Sequence, residues 1–546
     1  MSERGAWSGS CAAAVAIACA GLLGLGGCAV GPDAQPPANT APQQWSAELA
    51  RGLTASSPDL AQWWALLGDS LLDDLVRRAI GGNTDMKGAV ARIREARARR
   101  AEAGGAPLPS LDANASYTRR RSGGGGSSAA ASVLESDYFA TGFDASWEID
   151  LFGGLRRTIE QRQAELEASR ADFGNVMVSV LAEVARNYVE VRSLQARIAI
   201  AESSARSQTD TLELVRLRRD GGLGDELEVA QAEYNLADTR ARIPVLQTSL
   251  ASARNRLAVL LGVGAGSLDA ELAAPAPVPS APASVAVGMP AELLRRRPDV
   301  ARAEQQLVAA TAAVGVATAD LYPKLTLSGS IGLSSLDLAS LGSSASRVFA
   351  IGPSLTWNVF DAGRIRHRIE AQSALQEQAL ATYEGAVLTA YEEAENALVA
   401  YVREQVRRDS LGEAVAAARL ADDLARTQYQ HGLVDFQRVL ETERAALVFQ
   451  ESLAISSAAV TTDLIALYKA LGGGWAPATP APPPRLGSRL GSSRGFRQLA
   501  SAGTAPRAPR GPGGTAAPRP ATSWAGYSLT GVMKGPQARC HPVSRL

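Results

Sequence analysis

The sequence predicts an α+β membrane protein built from two tandem repeats, each with long α-helices and a pair of β-strands. Three observations lead to this fold class: an internal repeat, four segments that alternate apolar and polar residues, and two proline-free helical segments of roughly sixty residues or more. Of the 546 residues, 46% are hydrophobic, and 55 basic residues balance 55 acidic ones. This composition excludes a wholly disordered chain, which would need low hydrophobicity and a high net charge.

The first 27 residues form a candidate export signal. The apolar run 11–25 is shorter than the roughly 20 residues that span a bilayer, but it suits the hydrophobic region of a signal peptide. It ends in the sequence LGGC at 25–28, which resembles the bacterial lipobox, whose cysteine is acylated and becomes the mature N-terminus. The resemblance implies a covalent lipid on Cys28, and Ala29 rather than an aspartate after it permits transport to the outer membrane. Ordinary cleavage beside a bystander cysteine is the alternative.

The mature chain contains one unit twice. Asp85 to Leu111 matches Asp299 to Leu325, and each segment is a helical stretch that ends in a proline two residues before the leucine. Farther along, the offset settles at 357 − 147 = 210 residues, because Trp147 matches Trp357. Together with the export signal and the composition of the linker and the tail, these matches divide the chain into a signal peptide, a first repeat, a linker, a second repeat and a tail: 1–27, 28–262, 263–290, 291–472 and 473–546.

Four segments show the period-two alternation of half-buried strands: about 111–121, 138–152, 325–335 and 349–360. In the second of them, Phe143, Ala145 and Trp147 alternate with polar residues. Transmembrane strands have this pattern and need about 9–11 residues each. Four strands cannot close a barrel, for which about eight are needed, and open edges are not tolerated in lipid. We therefore expect several chains to pool their strands.

The helices are unusually long, with boundaries predicted at about 156–219, 226–261, 364–430 and 436–471. At 1.5 Å per residue, the first of these would be a rod of roughly 95 Å, which indicates coiled-coil-like packing. Each long helix ends at a glycine turn and is followed by a shorter helix. Pro244 is expected to kink the first of the shorter helices.

This arrangement resembles the TolC-like outer-membrane factors, and more closely the lipoproteins that serve resistance-nodulation-division (RND) transporters. The resemblance covers about 28–472 and depends on the lipobox with Asp33, the Trp63-Trp64 pair, LLRRRPDV at 293–300, ADLYP at 319–323 and the segment from Trp357 to Arg364. It implies a homotrimer with a 12-stranded transmembrane barrel and a periplasmic α-helical barrel. It further implies a lipid-anchored protein of the Gram-negative outer membrane that passively conducts small molecules from an inner-membrane RND transporter and a periplasmic adaptor. No enzymatic activity and no cofactor besides the lipid on Cys28 are expected.

The same resemblance places the functional residues at the ends of the two helical hairpins. The adaptor would contact the turns, at Gly222, Leu223, Asp225, Gly432, Leu433 and Asp435. The periplasmic gate would involve Gln437, Glu441 and Arg444, since the family pattern has an acid and a base at the last two positions. Rings of these residues could form a salt-bridged latch or a selectivity filter, whereas a solvated helix face is the alternative for Glu441. Relatives often carry an apolar residue where Gln437 stands, which weakens the case for a hydrophobic gate there.

Other function classes fit the sequence less well. The three histidines are scattered, and only His541 has a cysteine beside it, Cys540, so a Cys/His metal cluster is not expected. No H-E-x-x-H pair occurs, and the one G-x-S-x-G match, at 491–495, lies in the Pro/Gly-rich tail. The body of the chain is acidic, which argues against nucleic-acid binding. A type I protein-secretion channel and a structural periplasmic coiled-coil lipoprotein are the alternatives. The tail carries nine Arg, one Lys and no acid, and its Pro/Gly-rich composition predicts disorder. It could contact peptidoglycan or anionic lipid, or it could be a non-functional extension.

Overall fold

The computed structural model describes residues 29–35, 42, 44–56, 60–122 and 134–475. The lipidation candidate Cys28 and nearly all of the predicted tail lie outside the described residues. The described part is mainly helical, and its elements in chain order are β1 (Leu53–Thr54), α1 (Ser70–Gly82), α2 (Thr84–Gly105), β2 (Ser110–Ser122), β3 (Leu134–Ile149), α3 (Gly154–Asp220), α4 (Glu226–Leu261), β4 (Val285–Ala286), α5 (Pro290–Arg296), α6 (Pro298–Ala319), β5 (Lys324–Ser335), β6 (Arg347–Thr356), α7 (Arg364–Gln430) and α8 (Phe436–Ala470).

The two halves of the chain have matching elements. Helices α3 and α7 both contain 67 residues, and each is followed by a tight turn and a shorter helix of 36 or 35 residues. Even single contacts repeat: the indole Nε1 of Trp147 donates to the carbonyl of Pro107 at 2.8 Å, and that of Trp357 donates to the carbonyl of Leu321 at 3.0 Å. Each tryptophan therefore connects the end of a strand to the segment that follows a helix, which is α2 in the first repeat and α6 in the second.

The four long strands form one antiparallel sheet in the order β2-β3-β5-β6. The register places Ala113, Phe143, Ile331 and Phe349 side by side across the sheet. Because side chains alternate along a strand, the odd-numbered residues of all four strands share one face. That face is largely apolar, and the opposite face is made mainly of small and polar residues. Strands β2 and β6 form the two edges of the sheet.

Two strands differ at their ends from the sequence-based boundaries. The strand expected over 138–152 runs over Leu134–Ile149, and the strand expected over 349–360 runs over Arg347–Thr356. The reason is the central strand β5, whose first residues pair with Ile149 on one side and Thr356 on the other. The predicted strands were too long at this end because the alternation of apolar and polar residues continues past Ile149 and Thr356, the last residues that pair with β5.

The main hydrophobic core lies where α1, the middle of α3, and the C-terminal ends of α4 and α8 meet. The linker predicted over 263–290 also contributes to this core, through Leu268, Leu272, Val285 and Val287. Its strand β4 pairs in parallel with β1 of the first repeat. The segment is therefore packed against the helices by its apolar residues as well as connecting the two repeats.

Helices α4 and α8 each have one unusual feature. Helix α4 runs from Glu226 to Leu261 as one helix although it contains Pro244. Among the described helices, α8 alone is long and apolar enough to cross a membrane, and half of its most apolar window is buried within the protein. This partial burial is expected for a helix whose apolar residues belong to the core.

Candidate functional site at the ends of the two helical hairpins

The two hairpin turns have the same backbone conformation. Gly222 has φ 71° and Gly432 has φ 72°, in the left-handed region that favours glycine. The amide of Leu223 donates to the carbonyl of Arg218 at 2.8 Å, and the amide of Leu433 donates to that of Gln428 at 2.9 Å. These bonds are typical of the Schellman motif, in which a left-handed glycine ends a helix. The glycines predicted at the tips therefore set the reversal of the chain.

Of the other predicted tip residues, the two aspartates cap helices and the two leucines are exposed. Asp225 accepts a hydrogen bond from the amide of Glu228, and Asp435 accepts one from the amide of Arg438, so both aspartates cap the returning helices. The side chains of Leu223 and Leu433 are 72% and 74% exposed. An apolar side chain at the outermost point of each hairpin is available for contact with another protein.

The predicted gate residues all lie on the exposed side of α8. Gln437 is exposed. Glu441 accepts a hydrogen bond from Arg438 of the same helix at 3.0 Å, and this pair faces solvent. Arg444 donates from Nε to Oδ1 of Asn235 at 2.9 Å, and its guanidinium lies 5.3 Å from the centre of the Tyr234 ring. Within this chain Glu441 is thus paired along its own helix, while Arg444 connects α8 to α4.

A contact between the hairpins that the sequence did not reveal is centred on Tyr429, at the end of α7. Its hydroxyl donates to Oε2 of Glu228 at 2.9 Å. Arg218 of α3 donates to the carbonyl of Tyr429 at 2.9 Å and lies 4.6 Å from the centre of its ring. Burial, followed by the bond to Glu228, raises the pKa of the Tyr429 hydroxyl. The tyrosine therefore stays a neutral donor and joins the first hairpin to the second.

A second contact between the hairpins, which the sequence analysis also missed, is centred on Glu443, seven residues after the first residue of α8. Glu443 is buried and accepts hydrogen bonds from Thr211 at 2.7 Å and from Asn235 at 3.2 Å. Arg426 lies 3.0 Å from the same carboxylate. A sequence signal was available: Glu443 occupies the position of an apolar residue in the stripe Phe436, Val439, Leu440, Ala446 and Leu447, all of which are buried.

A family model described as outer membrane efflux protein matches residues 75–263 and 289–473. The chain belongs to the outer membrane efflux protein family. It is 35% identical to the pyoverdine export outer membrane protein OpmQ of Pseudomonas aeruginosa over 83% of this chain and 95% of that protein. It is 29% identical to the cation efflux system protein CusC of Escherichia coli, over 83% of this chain and 97% of that protein. The structure of the outer-membrane channel OprN is similar with a TM-score of 0.78 and 38% identity, and covers 82% of this chain and all of that one.

These findings confirm the TolC-like assignment, the tandem-repeat fold and the function as an outer-membrane efflux channel with a periplasmic domain. The outer membrane efflux protein family consists of channels and not of enzymes. Among the described residues, no group of three or more His, Cys, Asp or Glu side chains is placed to hold a metal ion. The parts of this outer membrane efflux protein that bear on its function are therefore the sheet at one end of the long helices and the paired hairpin turns at the other.

Proposed function

We propose that three copies of this chain form one duct, with a 12-stranded barrel in the outer membrane and a periplasmic tunnel of twelve helices, for the passive efflux of small molecules. The observation that carries the proposal is the sheet register. It gathers the apolar residues of four strands on one face and leaves β2 and β6 as edges. A lipid-facing sheet must be closed, and a barrel of twelve strands needs four from each of three chains.

The unequal burial of equivalent helices supports assembly independently. Helix α3 has 25 buried residues whereas α7, of the same length, has 10. Helix α6 packs between α3 and α7, and eleven of its residues are buried. Its equivalent α2 packs on α3, and only Met86 and Ala89 are buried. A neighbouring copy would supply the missing partner if its α7 packed on the free side of α2.

Charge on these two surfaces is complementary. The exposed residues of α2 include Arg94 and Arg97, and those of α7 over the corresponding length include Glu370, Glu377 and Glu384. Oppositely charged surfaces favour correct pairing of subunits. We refer to this proposed contact between α2 of one copy and α7 of the next as the α2–α7 seam.

We further propose that Cys28 carries the lipid. The support comes from the described residues that follow it, which are fastened beside the sheet end of α3. The amide of Val30 donates to the carbonyl of Phe152 at 3.2 Å, and the buried Arg157 donates to Asp33 at 2.6 Å. Acyl chains attached just before this segment would enter the membrane at the level where the strands begin.

The hairpin ends are proposed to receive a periplasmic adaptor coupled to an inner-membrane RND transporter, and to open by untwisting. Support comes from the exposed Leu223 and Leu433 and from the contacts around Tyr429, which must change if the hairpins separate. Relatives of similar coverage are named for pyoverdine export and for cation efflux. We therefore propose that the transporter, and not this channel, selects the substrate.

The test is reconstitution of the full-length protein, with its lipid, in planar bilayers. A trimer that inserts and conducts supports the proposal. A monomer that stays soluble without detergent once delipidated would overturn it. In cells, Leu433→Asp should reduce drug efflux while the trimer survives, and Val245→Asp, at an exposed position near the middle of α4, is the control.

A further inference from the structure

Glu443 is placed where a carboxylate is unfavourable unless it is fully paired. Its side chain is 2% exposed. It lies in the small hydrophobic cluster near the hairpin ends, together with Val215, Leu236 and Phe436. A buried charge or polar group without partners destabilises the structure that buries it. The partners of Glu443 therefore determine what arrangement of the hairpins it stabilises.

Each of the other three long helices supplies one partner. Thr211 comes from α3, Asn235 from α4 and Arg426 from α7, and all three contact the carboxylate. Helices α3 and α4 form the first hairpin, and α7 and α8 form the second. Glu443 thus joins its own hairpin to both helices of the other one.

The partners are themselves held in place. Arg426 is paired with Asp422 at 3.2 Å and donates a hydrogen bond to Ser207 of α3. Oδ1 of Asn235 accepts from Arg444. Separation of the hairpins would therefore leave several polar groups without their partners at once. Glu443 lies at the centre of these contacts.

The internal repeat provides a natural comparison. At an offset of 210 residues, Glu443 and Arg426 correspond to Glu233 and Arg216, because 443 − 233 and 426 − 216 both equal 210. The first-repeat pair is also formed, at 2.5 Å, but its side chains are 51% and 49% exposed. The same ion pair therefore occurs twice, on the surface in the first repeat and between the hairpins in the second.

We propose that Glu443 is a positioning residue for channel opening, which holds the two hairpins together through Thr211, Asn235 and Arg426 and must lose these contacts before the hairpins can untwist. This rests on the proposed function as a channel gated at the hairpin ends. The two hairpins are then coupled by Glu443 and its three partners, which we call the Glu443 node. Glu443 lies on the buried side of α8, whereas Gln437, Glu441 and Arg444 lie on its exposed side.

Protonation of Glu443 should change the balance between the joined and the separated hairpins. The groups that contact Glu443 or act on its charge are Asp422 and Arg426 from α7, Arg444 from the exposed side of α8, and the uncharged Thr211 and Asn235 from α3 and α4. Burial raises the pKa of Glu443, and Asp422 adds to this, against the opposing effects of Thr211 and Arg426. When the hairpins separate, the carboxyl group meets water and its pKa falls. Protonation therefore favours the joined state, so acidification should reduce opening.

The first experiment compares Glu443→Ala with Glu233→Ala in full-length trimers in planar bilayers. Removing Glu443 leaves Thr211, Asn235 and Arg426 without their shared acceptor. We expect the open fraction to rise by about tenfold or more. Removing Glu233 breaks only a solvent-exposed pair, and we expect less than about a threefold change. If wild type conducts and the two variants behave alike, the assignment of Glu443 is wrong; if wild type does not conduct, the channel proposal itself fails.

The second experiment uses Glu443→Gln, which keeps the shape and one acceptor oxygen if the alanine variant does not assemble. Wild-type conductance should fall as the pH is lowered from 7.5, and the glutamine variant should lose most of this dependence. Asp422 retains the remainder, because burial also raises its pKa. A pH profile identical to that of wild type would overturn the role of Glu443.

Discussion

The hydroxyl of Tyr429 on α7 and the carboxylate of Glu228 on α4 are joined by a hydrogen bond of 2.9 Å, although the residues are 201 positions apart. Arg218 packs on the same tyrosine ring from α3. Three helices from two hairpins thus meet at one aromatic side chain next to the turn. Any movement that separates the hairpin ends has to break this contact.

Tyr429→Phe should therefore make the closed arrangement less stable. The substitution removes only the hydroxyl, and a hydrogen bond to a charged group contributes about 1.5–3 kcal/mol. We expect greater single-channel conductance at rest and greater sensitivity of cells to antibiotics too large to cross the outer membrane. Tyr234→Phe is the control, since this tyrosine is exposed on α4. Equal behaviour of the two variants would contradict a coupling role for Tyr429.

The proposed α2–α7 seam predicts that charge reversal impairs assembly. Arg94→Glu with Arg97→Glu should place like charges opposite Glu377 and Glu384 of the next copy. Single exposed ion pairs contribute only about 0.2–1 kcal/mol, but a closed trimer contains the seam three times. The trimer fraction should fall in light-scattering measurements in detergent.

Reversing the other side tests whether the partners are correct. Glu377→Arg with Glu384→Arg should restore the trimer when combined with the two arginine reversals. Arg256→Glu, an exposed charge on α4, serves as the control. Assembly that is unaffected by the arginine reversals would place the seam elsewhere.

The two faces of the sheet should tolerate charge differently. Phe349 lies on the apolar face, and its neighbour Ala350 lies on the opposite face. An arginine on the lipid side of a transmembrane strand is unfavourable by about 2–4 kcal/mol near the membrane midplane. Phe349→Arg should therefore reduce insertion of the folded trimer into membranes, and Ala350→Arg should be tolerated. The reverse order would show that the sheet faces lipid with its other side.

Trp475 fastens the end of the second repeat. Its Nε1 donates to the carbonyl of Arg296 at 2.8 Å, and its ring lies against Gly174 of α3, where an added Cβ would be only 2.5 Å from the ring. Truncation after Trp475 should therefore leave the melting temperature unchanged. Truncation after Gly472 should lower it, because the free energy of unfolding should fall by at most the roughly 3–5 kcal/mol that a large core side chain contributes. Gly174→Ala should have a similar effect, and no loss of stability in either variant would contradict this role.

Asp463 on α8 predicts a pH dependence of stability. Burial, followed by the nearby Glu404, raises its pKa to about 6. Because the folded-state value exceeds the unfolded one, its contribution favours the folded state below about pH 4 and is lost as the pH rises through about 6. Asp463→Asn should raise the melting temperature at pH 7.5 and have little effect at pH 4.5. An equal shift at both values would exclude titration as the cause.

Much of the architecture could be predicted from the sequence because it depends on local patterns. The alternation around Trp147 and Trp357, the long segments without proline, and the glycines at 222 and 432 each specify a strand, a helix or a turn within a few residues. The repeat then showed that these elements occur twice. The strand ends were less accurate because they depend on the partner strand, as at Thr356.

Two equivalent hairpins and four amphipathic strands can be predicted from local patterns, because helical and strand periodicity and turn-forming glycines act over short distances. Which faces of the hairpins meet depends on the packing of the whole chain. Glu233 and Glu443 are equivalent in sequence, yet one is on the surface and the other is buried between four helices. That difference comes from contacts between residues some 200 positions apart, and a pattern within one repeat carries no information about the hairpin against which it will pack.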